Sequence, residues 1–145
     1  MSGEAAGGNL DNRGLPAGYN FRPDWELTPR EVARRLGQLE GHAANETEVA
    51  PDANHLLLID CRTEEERKVA CIEDSLHVPL HELDHHFDEI EELAADHDIV
   101  VHCHLGVRSF QMAALLRSRG VANVKSMAGG IDIWSLDVDP SIARY

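Results

Sequence analysis

The chain has 145 residues, 43% of them apolar and 27% charged, which suits one folded domain with a hydrophobic core and excludes an acidic disordered polymer. Lys plus Arg number 13 against 26 Asp plus Glu, and a net charge of −13 repels phosphate backbones and anionic lipid, so neither nucleic acid nor membrane is an expected partner. No apolar run approaches the roughly 20 residues of a bilayer-spanning helix, and MSGEAAGGNL lacks the basic and apolar regions of an export signal, so the expected location is cytoplasmic.

Residues 1–25 are rich in Gly, Asn, Asp and Pro without hydrophobic periodicity and read as a flexible leader to a domain spanning 26–145. Thr28-Pro29-Arg30-Glu31 announces a helix: Thr28 caps, Pro29 suits the first helical position and Glu31 completes a capping box. Val32, Leu36 and Leu39 give it an apolar stripe, with Gly41 as the expected stop. Residues 41–54 are small and polar, hence a loop, and the glycosylation sequon at Asn45-Glu46-Thr47 reads as chance without an export signal. A strand–helix rhythm then sets in. His55–Asp60 is a short apolar run of the kind buried on both faces, and Thr63-Glu64-Glu65-Glu66 is a second capping box directly after it. Leu76–Pro79 reads as a short strand, and Leu80, Leu83, Phe87, Ile90 and Leu93 follow at helical spacing. Asp98–Cys103 is a third apolar run, and Ser109–Arg119 an amphipathic helix with Met112, Leu115 and Leu116 inward, capped by Gly120. Val121–Ser126 reads as the last strand, Ala128-Gly129-Gly130 as a tight loop and Ile131–Ser135 as a closing helical turn. This alternation predicts an α/β domain: a central parallel sheet of about five strands with helices on both faces.

The chemistry concentrates where the third run ends. Ligands bind at the carboxyl ends of parallel strands, and Cys103 sits at such an end, followed by a loop that turns directly into a helix. Inward-pointing backbone N–H groups, the positive end of the helix dipole and Arg108 together favour an anion: the Cys103 thiolate, an oxyanion or a persulfide. Gly106 permits backbone angles a side chain resists, and Ser109 is expected to cap the helix and offer its hydroxyl to the sulfur. The same features lower a thiol's pKa, which makes Cys103 a candidate nucleophile.

Cys103-His104-Leu105-Gly106-Val107-Arg108-Ser109 resembles the active-site loop of rhodanese-type sulfurtransferases. Leu58-Ile59-Asp60-Cys61-Arg62 with the acids that follow is similar to that family's Asp-x-Arg segment, Ser75–Leu80 to its strand ending in Pro, and Met127–Trp134 to its closing Gly-Gly-x-x-x-Trp motif. The likeness covers Leu27 to Tyr145, and the stretch from Val138 resembles rhodanese domains that accompany ubiquitin-like activating enzymes in sulfur-carrier pathways. It departs at Ala70–Ser75, where the family often reads Gly-His-Ile-Pro-Gly-Ala, and at Arg67, where an aromatic is common. The resemblance implies a rhodanese-like fold, with a thiosulfate sulfurtransferase activity that passes a sulfane sulfur through a Cys103 persulfide. It implies His104, Leu105, Gly106, Val107, Arg108 and Ser109 as the substrate-binding loop. It also implies a small thiosulfate-like donor, an acceptor that is a thiol, cyanide or sulfur-carrier protein, and neither cofactor nor metal. The alternatives are a phosphatase or arsenate reductase on the same fold, whose loop the resemblance makes one residue longer, and a persulfide-carrier or interaction module without turnover of its own.

The other candidates have structural readings. Asp60 and Arg62 are supporting residues at the same carboxyl edge, either shaping the pocket wall or pairing within the adjoining turn. His77, His81 and His85 stand four apart, so three imidazoles on one helical face would be conceivable, but the surrounding acids point to a solvated surface. His102 should point opposite to Cys103 and pack in the core, and His104 should line the pocket mouth. The three cysteines include no CxxC pair; Cys71, standing where the family has histidine, reads as a packing residue or a second, resolving thiol.

Overall fold

Two apolar runs of matched length form the centre of the molecule: β2 (His55–Asp60) and β4 (His97–His102) pair in parallel from His55↔His97 to Asp60↔His102. The computed structural model, which describes residues 9–37 and 55–145, completes the sheet with β1 (Glu26–Leu27), β3 (Leu76–His77) and β5 (Val124–Met127). The order is β1-β5-β4-β2-β3 and every neighbouring pair is parallel. Five helices, α1 (Pro29–Leu36), α2 (Glu64–Val69), α3 (Leu83–Leu93), α4 (Val107–Ser118) and α5 (Gly130–Asp137), flank it on both faces.

Strand alternation divides the core. On one face Ile59, Cys61, Ile99, Val101 and Cys103 pack with Ile90 of α3 and with Met112 and Leu116 of α4. On the other, Leu58 and Val100 pack with Val32 of α1 and with Ile131 and Trp134 of α5. The capping boxes form as the sequence predicts: Thr28 Oγ1 accepts from Glu31 N–H at 3.1 Å, and Thr63 Oγ1 from Glu66 N–H at 3.2 Å.

Several boundaries differ from the sequence expectation. Helix α1 ends at Gly37, whose left-handed φ of 75° closes it before Gly41. Gly41, Leu39, the 41–54 loop and the sequon lie outside the described residues. The 310 turn Leu80–Glu82 precedes α3, so the apolar series from Leu80 spans two elements. Within α4, Met112 and Leu116 are buried, whereas Leu115 is 42% exposed. In the stretch expected to be a leader, part of 9–25 is anchored to the domain. Leu15 is fully buried with Ala128 and Ile133, Leu10, Tyr19 and Phe21 pack around it, and Tyr19 Oη donates to Glu26 at 2.6 Å. Residues 1–8 lie outside the described part.

Candidate active site

Strands β2 and β4 end on the same level, and each is followed by a cysteine. Cys61 N–H donates to His102 C=O at 3.0 Å, which carries the pairing one step beyond the strands and sets Cys61 beside Cys103 on one face of the sheet. The chain then turns at Gly106, φ 110°, a backbone state that disfavours any side chain, and enters α4 at Val107. This turn aims amides at the sulfur: Gly106 N–H reaches Cys103 Sγ at 3.1 Å and Ser109 N–H at 3.3 Å. Ser109 Oγ lies 3.4 Å from the same sulfur and 2.7 Å from Ser126 Oγ, so Ser126 can donate to Ser109 while Ser109 donates to a thiolate.

The Cys103 thiol is held well below its ordinary value by the hydrogen-bonding contact of Cys61, against burial that pushes the other way, with Ser109 and the two amides adding to the depression. Cys61 moves oppositely: its contact with the Cys103 sulfur, and then burial, push its thiol up, so of the two Cys103 is the one that ionises first. Sequence reasoning passed over Cys61, although two matched apolar runs each ending in cysteine contained the signal.

Arg108, expected to favour an anion at the sulfur together with the loop amides and the helix dipole, is itself paired. Its Nη1 and Nη2 grip Glu66 Oε1 and Oε2 at 2.7 and 2.9 Å, a bidentate pair that holds the Glu66 carboxyl far below its usual range. Tyr145 joins this pair: its hydroxyl donates to Glu66 Oε2 at 2.8 Å and accepts from Arg62 Nη1 at 2.9 Å. Its ring stacks on His104, centroids 4.0 Å apart and planes 11° from parallel. Neither Glu66 nor Tyr145 is a site candidate from sequence, since each meets the loop only through tertiary contact. The remaining loop residues, Leu105 and Val107, are 57% and 67% exposed, while Cys103 itself is 1% exposed.

Residues 43–137 match the family described as rhodanese-like domain. The chain belongs to the rhodanese-like domain family. It is 35% identical over 92 residues to a sulfurtransferase of Allochromatium vinosum, covering 63% of this chain and 83% of that protein. It is 34% identical over 101 residues to the adenylyltransferase and sulfurtransferase MOCS3-2 of Zea mays, covering 67% of this chain but 21% of the maize protein. Among solved structures, reduced Bacillus anthracis CoADR-RHD superposes with a TM-score of 0.59 at 27% identity over 82% of this chain and 18% of that one. The chain therefore spans about a fifth of those two larger proteins. Family and A. vinosum relative together support chemistry of the sulfurtransferase type.

In this rhodanese-like domain the supporting residues lie behind the loop. Asp60 and Arg62 are fully buried and bidentate, Nε to Oδ1 at 2.9 Å and Nη2 to Oδ2 at 2.8 Å; Arg62 also donates to Ala70 C=O, and Arg67 to Asp60. They pair, but form no open pocket wall. Burial pushes the Asp60 carboxyl up, yet the bonds from Arg62 outweigh it and hold it at about 2. His102 packs beside Asp60 on the face opposite Cys103, and burial lowers it to about 4. Ser109 sits inside α4, and Gly106 takes the cap position in its place. The histidines spaced four apart share no helical face: His77 lies in β3 and bonds Arg62 C=O, His81 lies in the 310 turn and His85 in α3. Cys71 lines a separate cavity of about 490 Å3 with Ile72, Trp134 and Ile142, and no residue of the 103–109 loop enters its wall. Among the described residues no helix is long and apolar enough to cross a membrane.

Proposed function

We propose that the protein is a thiosulfate-type sulfurtransferase that carries sulfane sulfur as a persulfide on Cys103, acting in the cytoplasm. The observation that carries this reading is the Cys103 sulfur itself, with Gly106 and Ser109 amides at 3.1 and 3.3 Å and the Ser109 hydroxyl at 3.4 Å. These donors favour the thiolate, the nucleophilic form, without a general base. The thiolate attacks the outer sulfur of a donor such as thiosulfate; a Cys103 S–S bond forms, the donor's S–S bond breaks, and sulfite leaves with the electron pair. An acceptor thiolate, or cyanide, then attacks the outer sulfur and restores the Cys103 thiolate, releasing a persulfide or thiocyanate. Donor and acceptor thus react in turn, giving ping-pong kinetics. The amides stabilise the anionic persulfide as an oxyanion hole stabilises developing charge.

Loop length favours sulfur over phosphate. Only His104–Val107 lie between Cys103 and Arg108, and both inward amides already reach one sulfur atom, so the ring suits one added sulfur better than a tetrahedral oxyanion. Intact-mass measurement after thiosulfate treatment tests the proposal. One added sulfur that maps to Cys103 and leaves with cyanide supports it; no added sulfur, or the same addition in Cys103→Ala, overturns it. Hydrolysis of p-nitrophenyl phosphate without sulfur loading would favour the phosphatase reading.

A further inference from the structure

Cys103 is 1% exposed, so access to its sulfur depends on how the 103–109 loop is held. The backbone of the loop's first two residues is pinned: Ile131 N–H donates to Cys103 C=O at 2.9 Å, and Asp132 N–H to His104 C=O at 3.2 Å. Farther along, the loop enters α4 and carries Arg108, and Arg108 is tied to Glu66. One side chain outside the loop meets both ends of this arrangement. Tyr145 covers the His104 ring and bonds Glu66, and the segment that bears it is itself anchored, since Ser135 Oγ donates to Ile142 C=O at 2.6 Å and Arg144 pairs with Asp132 at 2.9 Å.

We infer that Tyr145 is a positioning residue for the sulfur loop: its ring restrains the loop through His104, and its hydroxyl holds Glu66 on Arg108 and so sets how much positive charge the site shows an incoming anion. The inference rests on Cys103 being the reactive sulfur but requires no sulfur transfer to be tested. While Tyr145 Oη and Arg108 share Glu66, the carboxylate offsets the positive charge that the guanidinium shows an incoming anion. Loss of the hydroxyl leaves Glu66 one donor short and less fixed, and Arg108 regains attraction for anions. Loss of the ring also uncovers His104. The two halves of the side chain therefore have separable effects.

Site-resolved alkylation of Cys103 by neutral iodoacetamide and anionic iodoacetate, with peptide mass spectrometry to separate it from Cys61 and Cys71, distinguishes them. In Tyr145→Phe the iodoacetate-to-iodoacetamide rate ratio should rise about threefold, the size of a partly exposed charge pair, with the iodoacetamide rate near wild type. In Tyr145→Ala the ratio should rise equally and the iodoacetamide rate itself about fivefold, the size of one lost aromatic contact. Glu66→Gln, which keeps the capping box with Thr63, should raise the ratio at least as much and serves if the Tyr145 variants fold poorly. A purely structural role would change both reagents in parallel with the melting temperature. A ratio unchanged in Tyr145→Phe and in Glu66→Gln overturns the inference. Sulfur loading in Cys103→Ala overturns the proposed function instead, so the two failures are told apart.

Discussion

The carboxyl edge of the sheet buries polar groups on both faces, and the two faces treat them oppositely. On the Asp60 face, carboxylate and guanidinium meet bidentately, and the remaining donors of Arg62 find Ala70 C=O and Tyr145 Oη. On the Cys103 face the groups in hydrogen-bonding contact with the sulfur are N–H, O–H and S–H dipoles, and the Arg108 charge, tied to Glu66, acts on it from farther off. A matched ion pair is a fixture, since removing either member strands the other in a medium that cannot solvate it. A thiolate held chiefly by dipoles is stabilised without a bidentate partner, and its lone pair can still attack. On the proposed function, the difference separates a buried charge that holds the fold from one kept for reaction.

Breaking each side gives the largest effects. Cys103→Ala should reduce sulfur transfer by on the order of 10³-fold or more while changing stability by less than about 1 kcal/mol, measured by thiocyanate formation and by denaturant unfolding. Arg62→Met should do the reverse in kind: unfolding free energy falls by about 3 kcal/mol, because the buried Asp60 loses its bidentate partner and keeps only the single bond from Arg67. Equal loss of activity and stability in both variants would erase the distinction.

Titration sharpens the comparison at smaller scale. Among the described residues neither ring nitrogen of His102 has a hydrogen-bond partner, and burial depresses it to about 4 from the ordinary 6.5. A depressed folded value means that the unfolded chain binds the proton first. The stability linked to neutral His102 is therefore complete above pH 6.5 and is lost as pH falls towards 4, roughly 3 kcal/mol in all. Chemical denaturation between pH 7 and pH 4.5 checks this slope, and His102→Leu should flatten it. On the sulfur face, Ser109→Ala removes one hydrogen bond to the thiolate. It should raise the alkylation midpoint of Cys103 by about one pH unit, read from iodoacetamide rates against pH. An unmoved midpoint would mean that the amides and Cys61 hold the charge without the hydroxyl.

The long apolar runs and the capping boxes were plain in the sequence because they are local: His55–Asp60 and the Thr63–Glu66 box stand where expected. Strand β1 was not, because Glu26–Leu27 are only two residues and are made a strand by pairing with Ser126 and Met127, about a hundred positions away. The packing of Leu15 likewise has no periodic signature, since it fills a gap beside Ala128 and Ile133 from an irregular segment. At the site, the sequence motif led to Cys103, Gly106 and Ser109. Serine's preference for N-caps misplaced the helix start, because the turn needs the positive φ that Gly106 alone supplies. The partners of Arg108 were hidden for another reason: Glu66 lies 42 residues before it, and no spacing rule joins them.

The close approach of α5 to the loop has a consequence of its own. At Gly130, φ 64°, a methyl group would collide with the carbonyl oxygens of Cys103 and His104, so the helix and the loop touch backbone to backbone with no side chain as a cushion. Such a joint has no slack. A shift of α5 reaches the sulfur's own peptide undamped, and that helix serves as the bench on which the sulfur is mounted.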